Sequence, residues 1–256
     1  MAEHITSLKN PKIQAWKALK DRKGRKESAC FLVEGRKMVE EALVSAFPVE
    51  AVLVDDARLG EFSLPVNIPA YSMPAHVLAA VCDTKTPQGI AAVVRMAEVQ
   101  LHGPRLVALD GVQDPGNVGT IIRTADAAGF DGVILSAQCA DVFSPKVLRA
   151  TMGSVFRMGI RVTDDLPALL AEMVRSGASV LSSQLDGEPF YRRRPLNDRF
   201  VLVIGSEGNG VSAINKQNSD IIVSIPMYGK VNSFNVSTAA AVLLAEASKQ
   251  HRVGKK

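Results

Sequence analysis

An apolar strand, a helix and a second apolar strand follow one another in residues 106–135, which read LVALDGVQDPGNVGTIIRTADAAGFDGVIL. The apolar runs 106–109 and 132–135 have the length of strands. Between them, residues 117–128 carry apolar side chains at helical spacing, and Gly129 is suited to end that helix. Strands that alternate with helices in this way form parallel sheets with crossover connections. The segment therefore predicts an open parallel sheet.

The same alternation continues to the end of the chain. Further helices are predicted over residues 144–152, 165–176, 211–217 and from about Ser233, and further strands over residues 179–182, 200–204 and 221–225. Residues 105–256 are therefore predicted to form one α/β domain.

A second, smaller α/β unit is predicted over residues 29–96, with strands at 31–33, 51–54 and 89–94 and helices at 35–45 and 74–82. Residues 97–104 lose this pattern and contain a Gly-Pro pair, which favours a linker. Upstream, Asn10 can cap a helix over residues 10–23. Residues 1–28 are therefore predicted to be an N-terminal arm.

Composition excludes several classes of protein. Hydrophobic residues make up 47% of the 256 residues and charged residues 22%, which excludes intrinsic disorder. The longest apolar run, Ala239–Ala245, is far shorter than the roughly 18 residues of a membrane span. The first residues, MAEHITSLKNPK, contain no apolar segment of a secretory signal. The three cysteines are too scattered for a disulfide framework or a zinc site. A cytoplasmic protein without a bound metal is expected.

The positive charge of the chain lies in its N-terminal arm. Residues 1–28 have a net charge of +5, from eight basic and three acidic residues, and the rest of the chain has −1. Lys12, Lys20 and Lys23 are spaced to share one face of the predicted helix. Such an arm either binds the phosphates of a nucleic acid or is a solvated helix face. Trp16 falls in register with the apolar side of this helix, which favours a core anchor over a base-stacking platform.

A second pair of cations is a candidate contact for nucleic-acid phosphates. Lys146 and Arg149 lie three residues apart on a predicted helix that Ser144 and Pro145 can start, so they can point in the same direction. The triple arginine Arg192–Arg194 is interpreted as a solvated loop.

Three polar segments follow predicted strands, where ligands of open parallel sheets bind. The first, residues 109–130, places Asn117 beside the strand ends and Arg123 on a polar face of the helix. Arg123 either meets a substrate or pairs with Asp126 on the surface. The second segment, VLVIGSEGNGVS at residues 201–212, is glycine-rich but lacks the spacing of a P-loop or of G-x-G-x-x-G. It is either a tight connection or a ligand loop.

The third segment, residues 225–247, reads IPMYGKVNSFNVSTAAAVLLAEA. It combines the end of a strand, a polar loop and an apolar helix. Ser233 could cap that helix. The loop has more asparagines and serines, however, than one helix cap requires.

Together the three segments resemble the motifs of the SpoU family of RNA ribose methyltransferases, part of the SPOUT superfamily. The matching patterns are Asn117-x-Gly-x-x-x-Arg123-Thr, Gly205-x-Glu207-Gly-x-Gly210, and Ile225-Pro-Met followed by Ser233-Phe-Asn235-Val-Ser237. Phe234 departs from the leucine that is usual in the family. Residues 29–95 resemble the small RNA-binding domain that often precedes the catalytic domain.

The resemblance implies an α/β fold with a C-terminal SPOUT-type parallel sheet and a trefoil knot. It implies S-adenosylmethionine (AdoMet) as the methyl donor and a ribose 2′-hydroxyl as the acceptor, in ribosomal RNA, with the large subunit favoured, or in transfer RNA. Homodimers are also expected. The catalytic residues implied are Arg123, Asn117, Glu207, Ser233 and Asn235. The cofactor contacts implied are Gly205, Ser206, Gly208, Ile225, Met227 and Phe234.

No histidine lies in the three motifs, so the role of Arg123 needs an argument. Because a guanidinium keeps its proton at neutral pH, we favour Arg123 as an electrostatic stabiliser of the developing alkoxide over a general base. A non-catalytic RNA-binding or ribosome-assembly protein is the alternative function. A dinucleotide-dependent oxidoreductase is disfavoured, because no G-x-G-x-x-G follows any predicted strand.

Overall fold

A computed structural model describes residues 2–97, 100–101 and 103–252 of the chain. It divides into two compact units, an N-terminal unit of Met1–Ala97 with Asp141–Phe156 and a C-terminal unit of Glu98–Ala140 with Arg157–Lys256. The helix predicted over residues 144–152 therefore belongs to the N-terminal unit, although the predicted boundaries put it in the larger domain. The predicted linker, 97–104, includes residues 98, 99 and 102, which lie outside the described residues.

The elements are numbered in chain order. The N-terminal unit contains β1 (Glu3–His4), α1 (Pro11–Ala18), α2 (Arg22–Ser28), β2 (Cys30–Glu34), α3 (Arg36–Leu43), β3 (Val49–Asp55), a 3-10 helix (Asp56–Glu61), β4 (Ala70–Met73), α4 (Ala75–Val81), β5 (Ile90–Arg95), α6 (Pro145–Thr151) and a second 3-10 helix (Ser154–Phe156). The C-terminal unit contains β6 (Arg105–Asp110), α5 (Pro115–Ala127), β7 (Gly132–Ser136), β8 (Gly159–Thr163), α7 (Leu166–Arg175), β9 (Ser179–Pro189), β10 (Phe200–Gly205), α8 (Ala213–Gln217), β11 (Ile221–Ser224) and α9 (Val236–Arg252).

The described residues of the N-terminal unit form a mixed sheet in the order β1-β4-β3-β5-β2. Strand β5 runs antiparallel to β2 and β3, whereas β4 runs parallel to β1 and β3. Ile13, Leu53 and Met73 are fully buried in its core. Trp16 packs against this core and meets Tyr71 edge to face, with ring centroids 5.0 Å apart. The interpretation of Trp16 as a core anchor is confirmed.

The predicted helix over residues 10–23 is in fact two helices, α1 and α2. The prediction that three lysines share one helix face is therefore wrong. Leu19 turns into the core after α1, and Asp21 has an extended backbone before α2. Lys12, Lys20 and Lys23 therefore lie on α1, in the connection and on α2, respectively. The ammonium of Lys12 lies 2.8 Å from a Glu3 carboxylate oxygen, and that of Lys20 donates to the Ala80 carbonyl at 2.8 Å.

The basic arm is part of the N-terminal unit rather than a separate appendage. Arg25 is only 3% exposed, and its Nε and Nη2 donate to one carboxylate oxygen of Asp141 at 3.1 and 2.7 Å. Its Nη1 donates to the carbonyls of Leu19 and Lys20 at 2.8 and 2.7 Å. Arg25 thus joins α2 to the segment 141–156. Its charge is paired with Asp141 within the N-terminal unit.

The described residues of the C-terminal unit form a six-stranded sheet in the order β11-β9-β10-β6-β7-β8. All five pairings are parallel, which confirms the predicted parallel sheet. Val107, Val133 and Val203 are among its fully buried residues. Helix α5 packs against α9, and the hydroxyl of Ser248 on α9 donates to the Ala128 carbonyl just after α5. The trefoil knot stays a prediction.

Strand β9 is longer than predicted and is interrupted where it pairs with β11. Ile222 is opposite Ser182, but the next residue, Val223, is opposite Glu188. Residues 183–187 of β9 therefore have no partner on β11. Within this interval, a side chain at Gly187 would meet the backbone of Val223 at 2.5–2.8 Å, so only a glycine fits there.

The parallel sheet brings the three polar segments to one edge. Strands β6, β10 and β11 run in the same direction, so the loops after them leave from the same side of the sheet. Helices α5 and α9 both run back from that side, with their N-termini at it. None of the described helices is long and apolar enough to cross a membrane.

Candidate functional site

The first polar segment is held by a capped helix. The Asp114 carboxylate accepts a hydrogen bond from the Asn117 backbone N–H at 2.8 Å, and Pro115 occupies the first turn of α5. Gly129 has a φ of +76°, as predicted for the residue that ends this helix. The Asn117 side chain then donates from Nδ2 to Oε1 of Glu207. This bond joins the first segment to the second.

The second segment is a tight glycine loop after β10. Ser206 and Gly210 exchange two backbone hydrogen bonds, of 3.0 and 2.9 Å, and the Ser206 hydroxyl accepts from the Asn209 N–H at 3.3 Å. A Cβ at Gly205 would collide with the backbone of Gly210 and Val211. Glycine is therefore required at residue 205, because the chain closes back on the strand end.

The third segment ends in a cap on α9. The Asn235 side-chain oxygen accepts from the backbone N–H and hydroxyl of Ser237, at 2.9 and 2.7 Å, and more weakly from the Thr238 N–H. Asn235, and not Ser233, is thus the capping residue. The Nδ2 of Asn235 has no hydrogen bond within the described part of the chain.

A cleft of about 450 Å³ lies between the second and third segments. All six predicted cofactor contacts line it, and Glu207 and Ser233 line it as well. Asn117, Arg123 and Asn235 are not among the lining residues, although Asn117 reaches the cleft through its bond to Glu207. The structure therefore brings together the predicted cofactor residues and part of the predicted catalytic set.

One wall of the cleft is not identifiable from the sequence motifs. It consists of Ser183, Gln184, Leu185 and Asp186, in the interrupted part of β9, and of Lys216 on α8. Gln184 donates from Nε2 to the Val211 carbonyl at 2.9 Å, which braces the glycine loop. The Lys216 ammonium lies 3.1 and 2.9 Å from the two carboxylate oxygens of Asp186 and holds the pKa of that carboxyl below its ordinary value.

Arg123 lies on the exposed face of α5 and is free to meet a ligand. It makes no hydrogen bond or ion pair with any residue that the structure describes. Asp126, the alternative partner considered from the sequence, instead accepts from Nε and Nη2 of Arg157 at 3.1 and 2.8 Å. The surface pair Arg123–Asp126 is therefore absent from the described structure.

The predicted RNA contacts lie in the N-terminal unit. Lys146 and Arg149 share α6, and Nη1 of Arg149 lies 2.8 Å from a carboxylate oxygen of Asp83. The side chain of Lys23 is 85% exposed and 3.8 Å from Glu27. Lys23 is thus the most available of the three arm lysines that the sequence singled out.

The three cysteines are free and buried, and burial disfavours the reactive thiolate form. Burial raises the pKa of the Cys82 thiol to about 12 and also raises the pKa of Cys139. Within the described residues, no three His, Cys, Asp or Glu side chains are grouped so that they could hold a metal ion.

Fold and cleft together define an α/β protein whose ligand site lies beyond the carboxyl ends of parallel strands, between a glycine loop and a capped helix. The model of the SpoU rRNA methylase family matches residues 104–245, and that of the MRM3-like substrate binding domain matches residues 10–92. The chain belongs to the SpoU rRNA methylase family. The prediction made from the three motifs is confirmed.

Similar proteins match nearly the whole chain. The 23S rRNA (guanosine(2553)-2′-O)-methyltransferase RlmP of Bacillus subtilis (strain 168) is 41% identical over 243 residues, which are 94% of this chain and 98% of the relative. The AdoMet-bound rRNA methyltransferase of Sinorhizobium meliloti superposes with a TM-score of 0.85 at 29% identity, covering 98% of both chains. The SpoU methyltransferase AviRb of Streptomyces viridochromogenes, in complex with AdoMet, has a TM-score of 0.83 at 27% identity, covering 97% of this chain and 100% of that one.

Proposed function

We propose that this protein transfers a methyl group from AdoMet to a ribose 2′-hydroxyl of ribosomal RNA, with the large subunit favoured. The observation that carries this proposal is the cleft at the strand ends, lined by all six residues expected to hold the cofactor. Membership of the SpoU family supports it, and so does the similarity to an enzyme named for 2′-O-methylation of 23S rRNA.

The cleft fits a ligand of this kind. Its volume of about 450 Å³ lies in the usual range of small-molecule sites, roughly 300–1,000 Å³. Because Gly205 has no side chain, the loop 206–210 can close on the end of the strand. Ile225, Met227 and Phe234 supply apolar surface, while the loop supplies backbone groups for polar contacts. When bound, AdoMet supplies an electrophilic methyl group on a sulfonium.

The chain's own residues would position and stabilise the acceptor. The Arg123 guanidinium would lie against the hydroxyl oxygen as negative charge develops on it, an interaction that is strongest in the transition state. Asn117 and Glu207 hold each other, so either can orient the ribose with little further ordering. Ser233 and the unbonded Nδ2 of Asn235 would add hydrogen bonds to the acceptor.

The wider organisation is part of the same proposal. We expect a homodimer in the cytoplasm, no bound metal, and a trefoil knot in the C-terminal unit. The family resemblance supports the dimer and the knot, and the proposed substrate, ribosomal RNA, supports the cytoplasmic location. Lys12, Lys20, Lys23, Lys146 and Arg149 are proposed to help bind RNA.

The first prediction concerns the cofactor and the product. Calorimetry should show one AdoMet bound per chain and no binding of NAD, because the glycine loop lacks the dinucleotide spacing. Large-subunit RNA from a strain deleted for this gene should then accept labelled methyl groups. The modified ribose should resist alkaline cleavage. AdoMet binding without methyl transfer to ribosomal or transfer RNA would favour the non-catalytic alternative.

The second prediction concerns the charge of the arm. Lys23 and Lys26 are exposed lysines of α2. The double variant Lys23→Gln, Lys26→Gln should weaken RNA binding uniformly and reduce the slope of log K against log salt by about 2, because each phosphate contact contributes about 1. Point variants are preferable to deletion of residues 1–28, since Ile5, Ile13 and Leu19 belong to the core. Lys37→Gln, on α3 of the same unit, is the matched control. An unchanged slope in the double variant would identify α2 as a solvated helix.

A further inference from the structure

Two exposed tyrosines meet on the surface of the C-terminal unit. Tyr191, which follows β9, is 51% exposed, and Tyr228, in the loop after β11, is 89% exposed. Their hydroxyl oxygens lie 3.3 Å apart. Tyr228 directly follows Met227, which lines the cleft. This tyrosine pair, Tyr191 and Tyr228, is therefore next to the proposed cofactor site.

Arg192 places a positive charge beside the tyrosine pair. The guanidinium carbon of Arg192 lies 5.9 Å from the centre of the Tyr191 ring, and Arg192 also acts electrostatically on Tyr228. Arg194 and Lys230 are exposed in the same two loops. Residues 190–197 and 225–235 contain no Asp or Glu. Arg193, in contrast, is half-buried and donates to the Arg194 carbonyl, so it has a structural role.

The chemistry of this surface suits an unpaired RNA base. A tyrosine ring offers a rigid π face, and every base can stack on such a face. Sequence-specific recognition of RNA mostly uses unstacked bases in loops and bulges, which stack on aromatic rings and arginine planes. An interface with a second copy is less compatible, because a two-fold contact centred on this surface would bring Arg192, Arg194 and Lys230 close to the same cations of the other copy. The nearby carboxylates Glu188 and Glu246 act on the half-buried Arg193 instead.

We propose that the tyrosine pair and Arg192 form a stacking platform for an unpaired base of the RNA substrate, adjacent to the nucleotide that is methylated. The proposal rests on the proposed function and adds the form of RNA that the site accepts. The platform binds a base in a loop or a bulge, and Arg192 contacts the neighbouring phosphate or the exposed base plane. The consecutive arginines therefore have different roles: Arg193 is structural, whereas Arg192 is available to RNA.

The test compares removal of the ring with removal of the hydroxyl. Tyr228→Leu should raise KM for RNA about tenfold, because losing one stacking partner typically costs a factor of ten or more. Tyr228→Phe should change KM less than twofold, since the ring is kept. Calorimetry with AdoMet and thermal unfolding should match the parent for both variants. Arg175→Gln, which removes an exposed arginine from α7, is the matched control and should leave KM unchanged.

The outcomes separate this inference from the proposed function. If the parent protein methylates RNA and Tyr228→Leu keeps the parent KM, the stacking platform is overturned. If Tyr228→Phe loses as much as Tyr228→Leu, the hydroxyl pair and not the ring is what matters, and stacking is again excluded. A shift in molar mass by light scattering in Tyr228→Leu would assign the surface to a second copy. If the parent methylates no RNA, the proposed function itself fails.

Discussion

Replacing Arg123 by alanine should lower kcat for RNA methylation a hundredfold or more and leave AdoMet affinity within about twofold. A hundredfold loss corresponds to about 2.7 kcal/mol of transition-state stabilisation. The reason is that Arg123 does not line the cleft but is exposed on α5, without a partner among the described residues. Its charge is therefore available to the acceptor oxygen when that oxygen becomes negative. Single-turnover methylation and AdoMet calorimetry measure the two effects separately.

Two variants serve as controls for this result. Arg123→Lys keeps the positive charge but loses the planar guanidinium with its several N–H donors. Its rate should therefore fall between those of Arg123→Ala and the parent. Asp126→Asn changes the same helix one turn away and disturbs only the pair with Arg157, so it should leave kcat near the parent value. Parent-like turnover of Arg123→Ala would show that Arg123 is a surface residue. An equal loss of AdoMet affinity would instead make it a cofactor contact.

The strands and helices of the C-terminal unit were mostly predictable because their signals are local. Strand β6, helix α5 and strand β7 each differ from their predicted bounds by at most two residues. Apolar runs bounded by glycine or proline define such elements without any knowledge of the rest of the fold. The strands β1, β4 and β8 were missed because none of them is a continuous apolar run: they read EH, AYSM and GIRVT. Segments of this kind form strands only by pairing with their neighbours.

The division into units depends on contacts that no local pattern contains. Arg25 was counted among the charges of an arm, yet its guanidinium binds Asp141, a residue 116 positions further along the chain. The backbone carbonyls of Leu19 and Lys20 stabilise this buried ion pair, because they accept both N–H groups of Nη1. Neither its burial nor its partner follows from the charge pattern.

The candidate site likewise contains residues that a local sequence motif identifies and residues that only the fold brings to the cleft. Gly205, Ile225 and Phe234 were identifiable because each lies in a contiguous motif, and all three line the cleft. Gln184 and Asp186 were not identifiable, because they line the cleft in the part of β9 where the pairing with β11 is interrupted. Strand register depends on how the apolar face of the whole strand packs and on the connecting turns, so it cannot be inferred from the residues of the interruption alone.

Replacing Gly205 by alanine should raise the AdoMet dissociation constant at least a hundredfold and destabilise the C-terminal unit by about 3 kcal/mol, at the upper end of the cost of overpacking. The added Cβ would meet the backbone of Gly210 and Val211, and backbone atoms cannot move aside by changing rotamer. The loop must open instead, which breaks the paired hydrogen bonds between Ser206 and Gly210. Calorimetry with AdoMet and denaturant unfolding measure the two effects.

Gly208→Ala is the matched control, because it adds the same methyl group three residues further along the same loop. A Cβ there meets no atom within 4 Å, and Gly208 is not among the glycines with positive φ. Its free energy of unfolding should therefore stay within about 0.5 kcal/mol of the parent. Since the loop keeps its shape in this variant, any loss of AdoMet affinity would report direct contact between residue 208 and the cofactor. If Gly205→Ala bound AdoMet as tightly as the parent, closure of the loop on the strand end would not be needed for cofactor binding.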